Sequence, residues 1–433
     1  MNRRPILAVL YEHGAVSPAE IVAGLAELGS LVFVLPPTDS AHVRQVRPLL
    51  SSLGEVVDRS GDEIGDAAGL RALAPDAVLT FSESQVLATA SLAARLGLPG
   101  QDIDTAHLLT NKHLQRLRLR ESGVDNVRFA TMRSLDDWPS ALEAVGLPAV
   151  IKPVRGEGSR HTFAVNTVAE AEQLLPGAFS CSAPGSDNGP VLVAEELLSG
   201  RKLGDFGDYV SVESLCDGDS IQHLALTGKF SLVHPFRESG HFWPSSLSAA
   251  EEAEAITLTT AALRALGATT GLTHTEIKLT PDGPRIIEVN GRLGGRINHL
   301  ARNACGVDLV RIAGLVALGQ RVRPSALRPA RVHFATWGLA PTEPCDVVAM
   351  GGGDEVRILP GITGYRPYFR AGDHLPGGMN TRAMDLLWGH CANHDELSTI
   401  LGRALTILRY DLSSDSGVRT LSAADSRKGP RPR

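Results

Sequence analysis

The segment THTEIKLTPDGPRIIEVNGR, residues 273–292, concentrates side chains that can do chemistry. Glu288, Asn290 and Arg292 recur at every second position, the period of a strand, so the three share one face while Ile287 and Val289 point into a core. Pro281, Asp282 and Gly283 form a turn signal between two strands. A three-residue loop over 281–283, with Gly283 left-handed, sets Glu276 opposite Glu288 and His274 opposite Asn290. Two carboxylates facing each other repel. A hard divalent cation removes that conflict, and Asn290 adds a further oxygen; Mg2+ takes few protein ligands and shares its shell with phosphate. Arg292, one step along the face, suits a phosphate oxygen. The competing reading is two solvated glutamates on an ordinary amphipathic hairpin.

A metal–phosphate site also needs fixed cations. AVIKPVRGEGSR places Lys152 at the end of an apolar strand, followed by a loop with Gly156, Gly158 and Ser159. Glycines allow backbone amides to approach an anion closely. The loop is neither a P-loop nor a dinucleotide fingerprint; alone it equally describes a flexible turn with a surface lysine. LLTNKHLQRL places Lys112 near the start of a basic helix, which alone reads as a solvated face.

Three sections position these residues. Residues 1–105 alternate strand-like and helix-like stretches, the pattern of a parallel sheet with helices on its faces. PILAVLY reads as the first strand, and Ser17 and Pro18 start the first helix. Residues 106–321 begin with a long basic helix, TAHLLTNKHLQRLRLRESG. A segment of strands and glycine loop follows, with a lid region at about 120–190, and then mainly strands. Thr167 and Glu170 suggest a capping box. Residues 322–420 form a third section ending in a helix over NHDELSTILGRALTILRYDL, and residues 421–433 read as a disordered tail.

A chain of 433 residues is too long for one core. Its 43% hydrophobic and 21% charged content is that of a soluble globular protein, and a net charge of -6 gives no reason to expect nucleic acid. Cys181, Cys216, Cys305, Cys345 and Cys391 are scattered, with no C-x-x-C pair, so a reducing cytoplasm is the expected location. The seven apolar residues after the basic start are too few for a signal peptide, and no run long enough to span a membrane occurs.

The order of Lys112, the strand–Lys152–Pro–glycine loop, EELLSG, Glu276 and EVNGR resembles the ATP-grasp superfamily of carboxylate–amine ligases, over nearly the whole chain. The resemblance implies an α/β and α+β architecture: a pre-ATP α/β domain, an ATP-grasp domain and a biotin-carboxylase-like C-terminal domain, the last suggested by DEVRILPG and a final helix. It assigns the nucleotide phosphates to Lys112 and Lys152, and the lid to Gly156, Gly158 and Ser159. The adenine hinge falls on Glu195–Leu198, with backbone groups of Glu196 and Leu198 reading the base. Asp208 is the best candidate for the ribose. Glu276, Glu288 and Asn290 become ligands of Mg2+, or of Mn2+, and Arg292 holds the transferred phosphoryl and the acyl phosphate.

HPFRESGHFWPSSL contains E-x-G-H-x-x-P, which resembles L-amino-acid ligases (dipeptide synthetases of the bacilysin-synthase type) and related biosynthetic peptide ligases. That branch places His241 in the substrate pocket and Gly294, Gly295 and Arg296 beside the acyl site. The implied partners are small-molecule amino acid or peptide substrates; neither nucleic acid nor membrane is expected, and a homodimer is a family expectation. The general base is not identified. The rival readings are a carboxylase or purine-pathway ligase of the same fold, and a non-catalytic nucleotide-binding protein.

Overall fold

The structure, a computed structural model, describes residues 3–38, 40–181, 191–324, 327–415 and 417–428. In the first section the strands Ile6–Leu10, Ser30–Leu35, Glu55–Asp58 and Ala77–Thr80 form a parallel sheet with Ile6–Leu10 in an interior position. Leu7, Ala8, Val9 and Leu10 are all buried, which requires cover on both faces and explains why the strand is apolar throughout. Ser17 caps helix Pro18–Leu25 and forms a capping box with Glu20. Ligands of open parallel sheets sit beyond the carboxyl ends of the strands. There Ser82 bonds Glu12 through both its hydroxyl and that residue's amide, fixing the short turn Glu83–Gln85.

A second, antiparallel sheet orders the strands Phe129–Met132, Leu192–Glu196, Ala149–Pro153 and Phe163–Val165. Helices Trp138–Val145 and Val168–Cys181 cover it over a core that includes Met132, Ile151 and Leu192. Thr167 caps the second helix, but Glu170 reaches back to the Asn166 amide, so the expected capping box closes one residue early.

The third sheet has eight strands. Gly283–Asn290 is the edge, followed by Thr270–Thr280, Phe206–Asp217, Ser220–Phe230, Gly240–Trp243, Val332–Thr336, Asp385–Cys391 and Ile362–Pro367. The expected boundary between 321 and 322 therefore runs between hydrogen-bonded strands: Gly240–Trp243 pairs directly with Val332–Thr336. A four-stranded sheet containing Cys345–Gly351 and Arg409–Ser414 completes the third section.

Several expectations need correction. The long basic helix is two helices, Ile103–Thr110 and Lys112–Glu121, because Asn111 is extended and spends its side chain capping the second. The last helix stops at Ile407, and Arg409–Ser414 is a strand. The expected tail is folded over 421–428: Ala423 is fully buried, and Arg427 donates to the carbonyls of Trp337 and Ser239. The hairpin loop has two residues, since Thr280 pairs with Gly283, and a bulge after Glu276 restores the pairing of Glu276 with Glu288. The bulge turns Ile286 into the core and leaves Ile287 half-buried. Among the described residues Cys216, Cys305, Cys345 and Cys391 are free thiols, and no helix is long and apolar enough to cross a membrane.

Candidate active site

One face of the eight-stranded sheet carries the polar residues in a continuous band. Asn290 and Glu288 pair with His274 and Glu276, which in turn pair with Glu213 and Ser211 on the next strand. Ser211 pairs with Thr227, and two residues on, Lys229 pairs with His241. The register inferred from the turn thus holds at the four positions that matter.

Each facing carboxylate meets a cation. Glu288 lies 2.9 Å from Lys112 Nζ, and Glu276 lies 3.2 Å from His274 Nε2. Burial disfavours both charged carboxyl and charged amine here, and the pairing overrides it. Glu276 is held well below the usual carboxylate range by His274, and Lys112 is raised by Glu288, Glu83 and Glu195. His274 is itself pushed up, against burial, by Glu213, whose other oxygen accepts from the Gly294 amide at 3.0 Å. A Cβ at Gly294 would lie 2.4 Å from His274 Nδ1, so only glycine admits this arrangement.

Among the described residues no group of three or more His, Cys, Asp or Glu could hold a metal ion alone. Two carboxylates and the buried Asn290 amide form a smaller oxygen set, which fits a Mg2+ ion that also takes phosphate oxygens.

Arg292 connects the hairpin to the rest of the site. It donates to the Leu293 carbonyl at 3.0 Å and reaches Asn290 Oδ1 at 3.4 Å. Its Nε lies 3.0 Å from Glu83, and its Nη2 lies 3.6 Å from Glu157 on the glycine loop. Burial works against the guanidinium, yet the surrounding carboxylates raise its pKa further. Glu83 responds in the other direction: burial pushes its carboxyl up to about 7 despite Arg292.

Lys152 is buried and pairs with Glu195 at 2.9 Å. Glu195 is also gripped by Arg116 through both oxygens, at 3.0 and 2.8 Å. Against burial, these two cations hold the Glu195 carboxyl at about 2. Lys152 must share Glu195 with Arg116, so burial prevails and its own pKa falls. Arg116 additionally donates to the carbonyls of Ile286 and Ile287, pinning the hairpin bulge. The Glu195 side chain is therefore a clamp.

At the hinge, the Glu196 amide is bonded to the Arg128 carbonyl and the Leu197 amide to the Pro148 carbonyl. Asp208 accepts from Lys278 at 2.7 Å, and Gly200 packs against its carboxylate. In the loop, Gly156, Gly158 and Ser159 all have positive φ, and the Ser159 hydroxyl bonds the Phe236 carbonyl at 2.8 Å. Lys112 donates to the Gly156 carbonyl at 2.8 Å, so the loop lies over the lysine. His241 is 1% exposed, burial lowers its pKa well below the ordinary value, and neither ring nitrogen has a partner. Arg296 starts helix Ile297–Cys305 and lies over Trp337, 4.2 Å from the ring centroid.

The structure brings Glu276, Glu288, Asn290, Arg292, Lys112 and the glycine loop together directly, and Lys152 through Glu195. Sequence reasoning missed Glu83, Arg116, Glu213 and the bridging role of His274. Glu83 had a usable signal, its place just beyond the carboxyl end of a parallel strand. Arg116 had none, because a basic helix face reads the same whether solvated or buried.

Residues 145–299 match the ATP-grasp domain family. The chain carries an ATP-grasp domain within an ATP-grasp fold that has biotin-carboxylase-like structural neighbours. It is 27% identical over 241 residues to alanine–anticapsin ligase of Bacillus subtilis strain 168, covering 51% of this chain and 49% of that protein. The chain thus spans about half the length of that relative. The fold matches that of an L-amino acid ligase from Bacillus licheniformis with a TM-score of 0.76 and 21% identity, over 95% of this chain and 99% of the other. It also matches the biotin carboxylase domain of a Hydrogenobacter thermophilus 2-oxoglutarate carboxylase in complex with MgADP. There the TM-score is 0.67 and the identity 16%, over 97% of this chain and 92% of the other.

Proposed function

We propose that this protein is an ATP-dependent ligase. It joins the carboxylate of an amino acid or related acid to the amine of an amino acid or peptide through an acyl phosphate. The observation that carries the reading is the pairing of Glu276 with Glu288 beside Lys112, Asn290 and Arg292.

The substrate carboxylate oxygen attacks the γ-phosphorus of ATP, the bond to ADP breaks, and ADP leaves. The amine nitrogen then attacks the acyl carbon, the bond to phosphate breaks, and the amine gives up a proton. Such transfer asks the protein chiefly for positioning and charge neutralisation. Lys112 and Lys152 bind phosphate oxygens, releasing Glu288 and part of Glu195 as they do so. Glu276, Glu288 and Asn290 would hold Mg2+, or Mn2+, which would neutralise phosphate charge. Arg292 steadies the transferred phosphoryl and the acyl phosphate. The 156–159 loop covers them and keeps out water, which would hydrolyse the intermediate. The Glu196 carbonyl and the Leu198 amide read adenine, Asp208 meets the ribose, and His241 faces the substrates.

Support also comes from the similarity to alanine–anticapsin ligase and from the fold shared with an L-amino acid ligase. A soluble cytoplasmic protein with amino acid or peptide substrates, free of nucleic acid and membrane, agrees with the composition; a homodimer is an expectation from the family resemblance. The test is phosphate release from ATP and Mg2+ with amino acids offered singly and in pairs, with mass spectrometry of the products. A new amide mass that depends on both members of a pair, and is lost in Glu288→Ala, is the expected result. Tight ATP binding with no turnover for any amino acid or peptide pair would overturn it.

A further inference from the structure

The two ends of the 156–159 loop are held by different kinds of contact. At the outer end the Ser159 hydroxyl donates to the Phe236 carbonyl at 2.8 Å, and the Gly158 carbonyl accepts from the Thr381 amide at 3.4 Å. At the inner end the partners are cations of the phosphate region and a residue of the first section. Lys112 donates to the Gly156 carbonyl at 2.8 Å. Glu157 sets one carboxylate oxygen 3.6 Å from Arg292 Nη2 and the other 3.9 Å from His13 Nδ1. Packing does not fix this end, since a Cβ at Gly156 or Gly158 would meet no atom within 4 Å. Both glycines have positive φ, so the backbone on either side of Glu157 turns where a residue with a side chain would resist.

Glu157 carries the one charge of the 156–159 loop. Burial works against that charge, yet His13 and Arg292 hold the carboxyl below its usual range. Arg292 offers a planar fork of five N–H donors. Its Nε faces Glu83 at 3.0 Å and its Nη1 donates to the Leu293 carbonyl at 3.0 Å. Its Nη2 meets Asn290 Oδ1 at 3.4 Å and Glu157 at 3.6 Å. The Glu157 contact is the longest of the four and lies beyond hydrogen-bond range, so it is the one that yields most readily. A phosphoryl group and a carboxylate at the same Nη2 would repel each other. The two therefore exclude one another on Arg292.

We propose that Glu157 is a displaceable latch: its carboxylate takes on Arg292 the place of the transferred phosphoryl group, holds the glycine loop shut there, and gives way when the γ-phosphate of ATP arrives. This inference rests on the ligase reading above, which puts the transferred phosphoryl on Arg292. With phosphate oxygens on Arg292 and Lys112, both inner contacts of the loop break. The Ser159 and Gly158 contacts involve no phosphate-binding side chain and stay, so the loop pivots about 158–159. The protein's own carboxylate thus opposes ATP. ADP has no γ-phosphate and does not meet that opposition.

The test compares wild type with Glu157→Gln and Glu157→Ala, with far-UV circular dichroism to check the fold. Calorimetric titrations in Mg2+ use ADP and an ATP analogue with nitrogen in place of the oxygen between the β and γ phosphates. Removing the carboxylate should tighten the analogue by roughly threefold to tenfold and change ADP by less. Without nucleotide, trypsin should cut both variants faster than wild type after Arg155 and Arg160, the exposed arginines that flank the loop. Weaker analogue binding in the variants, an equal change for both nucleotides, or unchanged cleavage rates overturn the proposal. Wild type that binds neither nucleotide sinks the ligase reading and the latch together. Wild type that binds both yet forms no amide from any pair sinks the ligase reading alone, and the comparison of analogue with ADP still decides the latch.

Discussion

Glu83 Oε2 lies 3.0 Å from Arg292 Nε, close enough for an ion pair but without the alignment of a hydrogen bond. The contact joins the carboxyl end of the first sheet to the hairpin of the third, residues more than two hundred positions apart. Arg292 is aimed by a residue outside the ATP-grasp match, which spans 145–299.

The Glu83 carboxyl sits at about 7 rather than its ordinary 4.5, so the folded protein holds that proton more tightly than the unfolded chain. Its contribution to stability is complete below 4.5 and is lost as pH rises through about 7. Between about pH 5 and about pH 8 the wild type should lose on the order of 2–3 kcal/mol relative to Glu83→Gln. Urea unfolding of both proteins at the two pH values reads this directly. A difference that stays constant with pH would show that Glu83 is ionised throughout.

Glu195 has the opposite sign. Its carboxyl is held at about 2, so its stabilisation is present above 4.5 and is lost as pH falls toward 2. Glu195→Gln leaves Arg116 and Lys152 buried without their counter-charge, at a cost of about 3–5 kcal/mol near neutral pH. The gap to wild type should narrow below about pH 4. Denaturant midpoints check both statements, and an equal gap at all pH values would contradict the clamp.

Gly294→Ala should damage the site more than the fold. The new Cβ would sit 2.4 Å from His274 Nδ1 and 2.9 Å from Glu213 Oε1, forcing apart the pair that positions Glu276. Loss of such support for a metal ligand costs about 10–100-fold in metal affinity or activity. Titrating Mg2+ against phosphate release should show the half-saturating concentration rising by that factor; an unchanged titration would remove His274 from the metal site.

Deleting residues 423–433 should destabilise the third section by on the order of 2–4 kcal/mol. The deletion uncovers the Leu408 carbonyl and removes the Ser426 hydroxyl that accepts from the Leu339 amide at 3.0 Å. It also removes the Arg427 donors to Trp337, the residue beneath Arg296. Thermal unfolding provides the measurement, and a midpoint equal to wild type would mean that the segment docks without contributing.

Local patterns in the sequence determined the hairpin, its facing glutamates, the alternation of Asn290 and Arg292, and the parallel sheet of the first section. These follow from two-residue and helical periodicities and from turn chemistry, which act between near neighbours. The bulge after Glu276 escaped notice because it cancels the shorter loop, so a wrong turn length still gave the right partners. The tail read as disordered from its composition, but burial of Ala423 and anchoring of Arg427 depend on surfaces contributed by Leu408, Thr336 and Trp337. Tertiary structure alone decided that Arg116 clamps Glu195 and the bulge carbonyls, that Glu213 reaches Glu276 through His274, that Glu83 meets Arg292, and that Arg296 rests on Trp337. Those contacts join residues far apart in sequence, and a charged side chain carries no mark of whether its neighbours will be water, an opposite charge or an aromatic ring until the chain has packed.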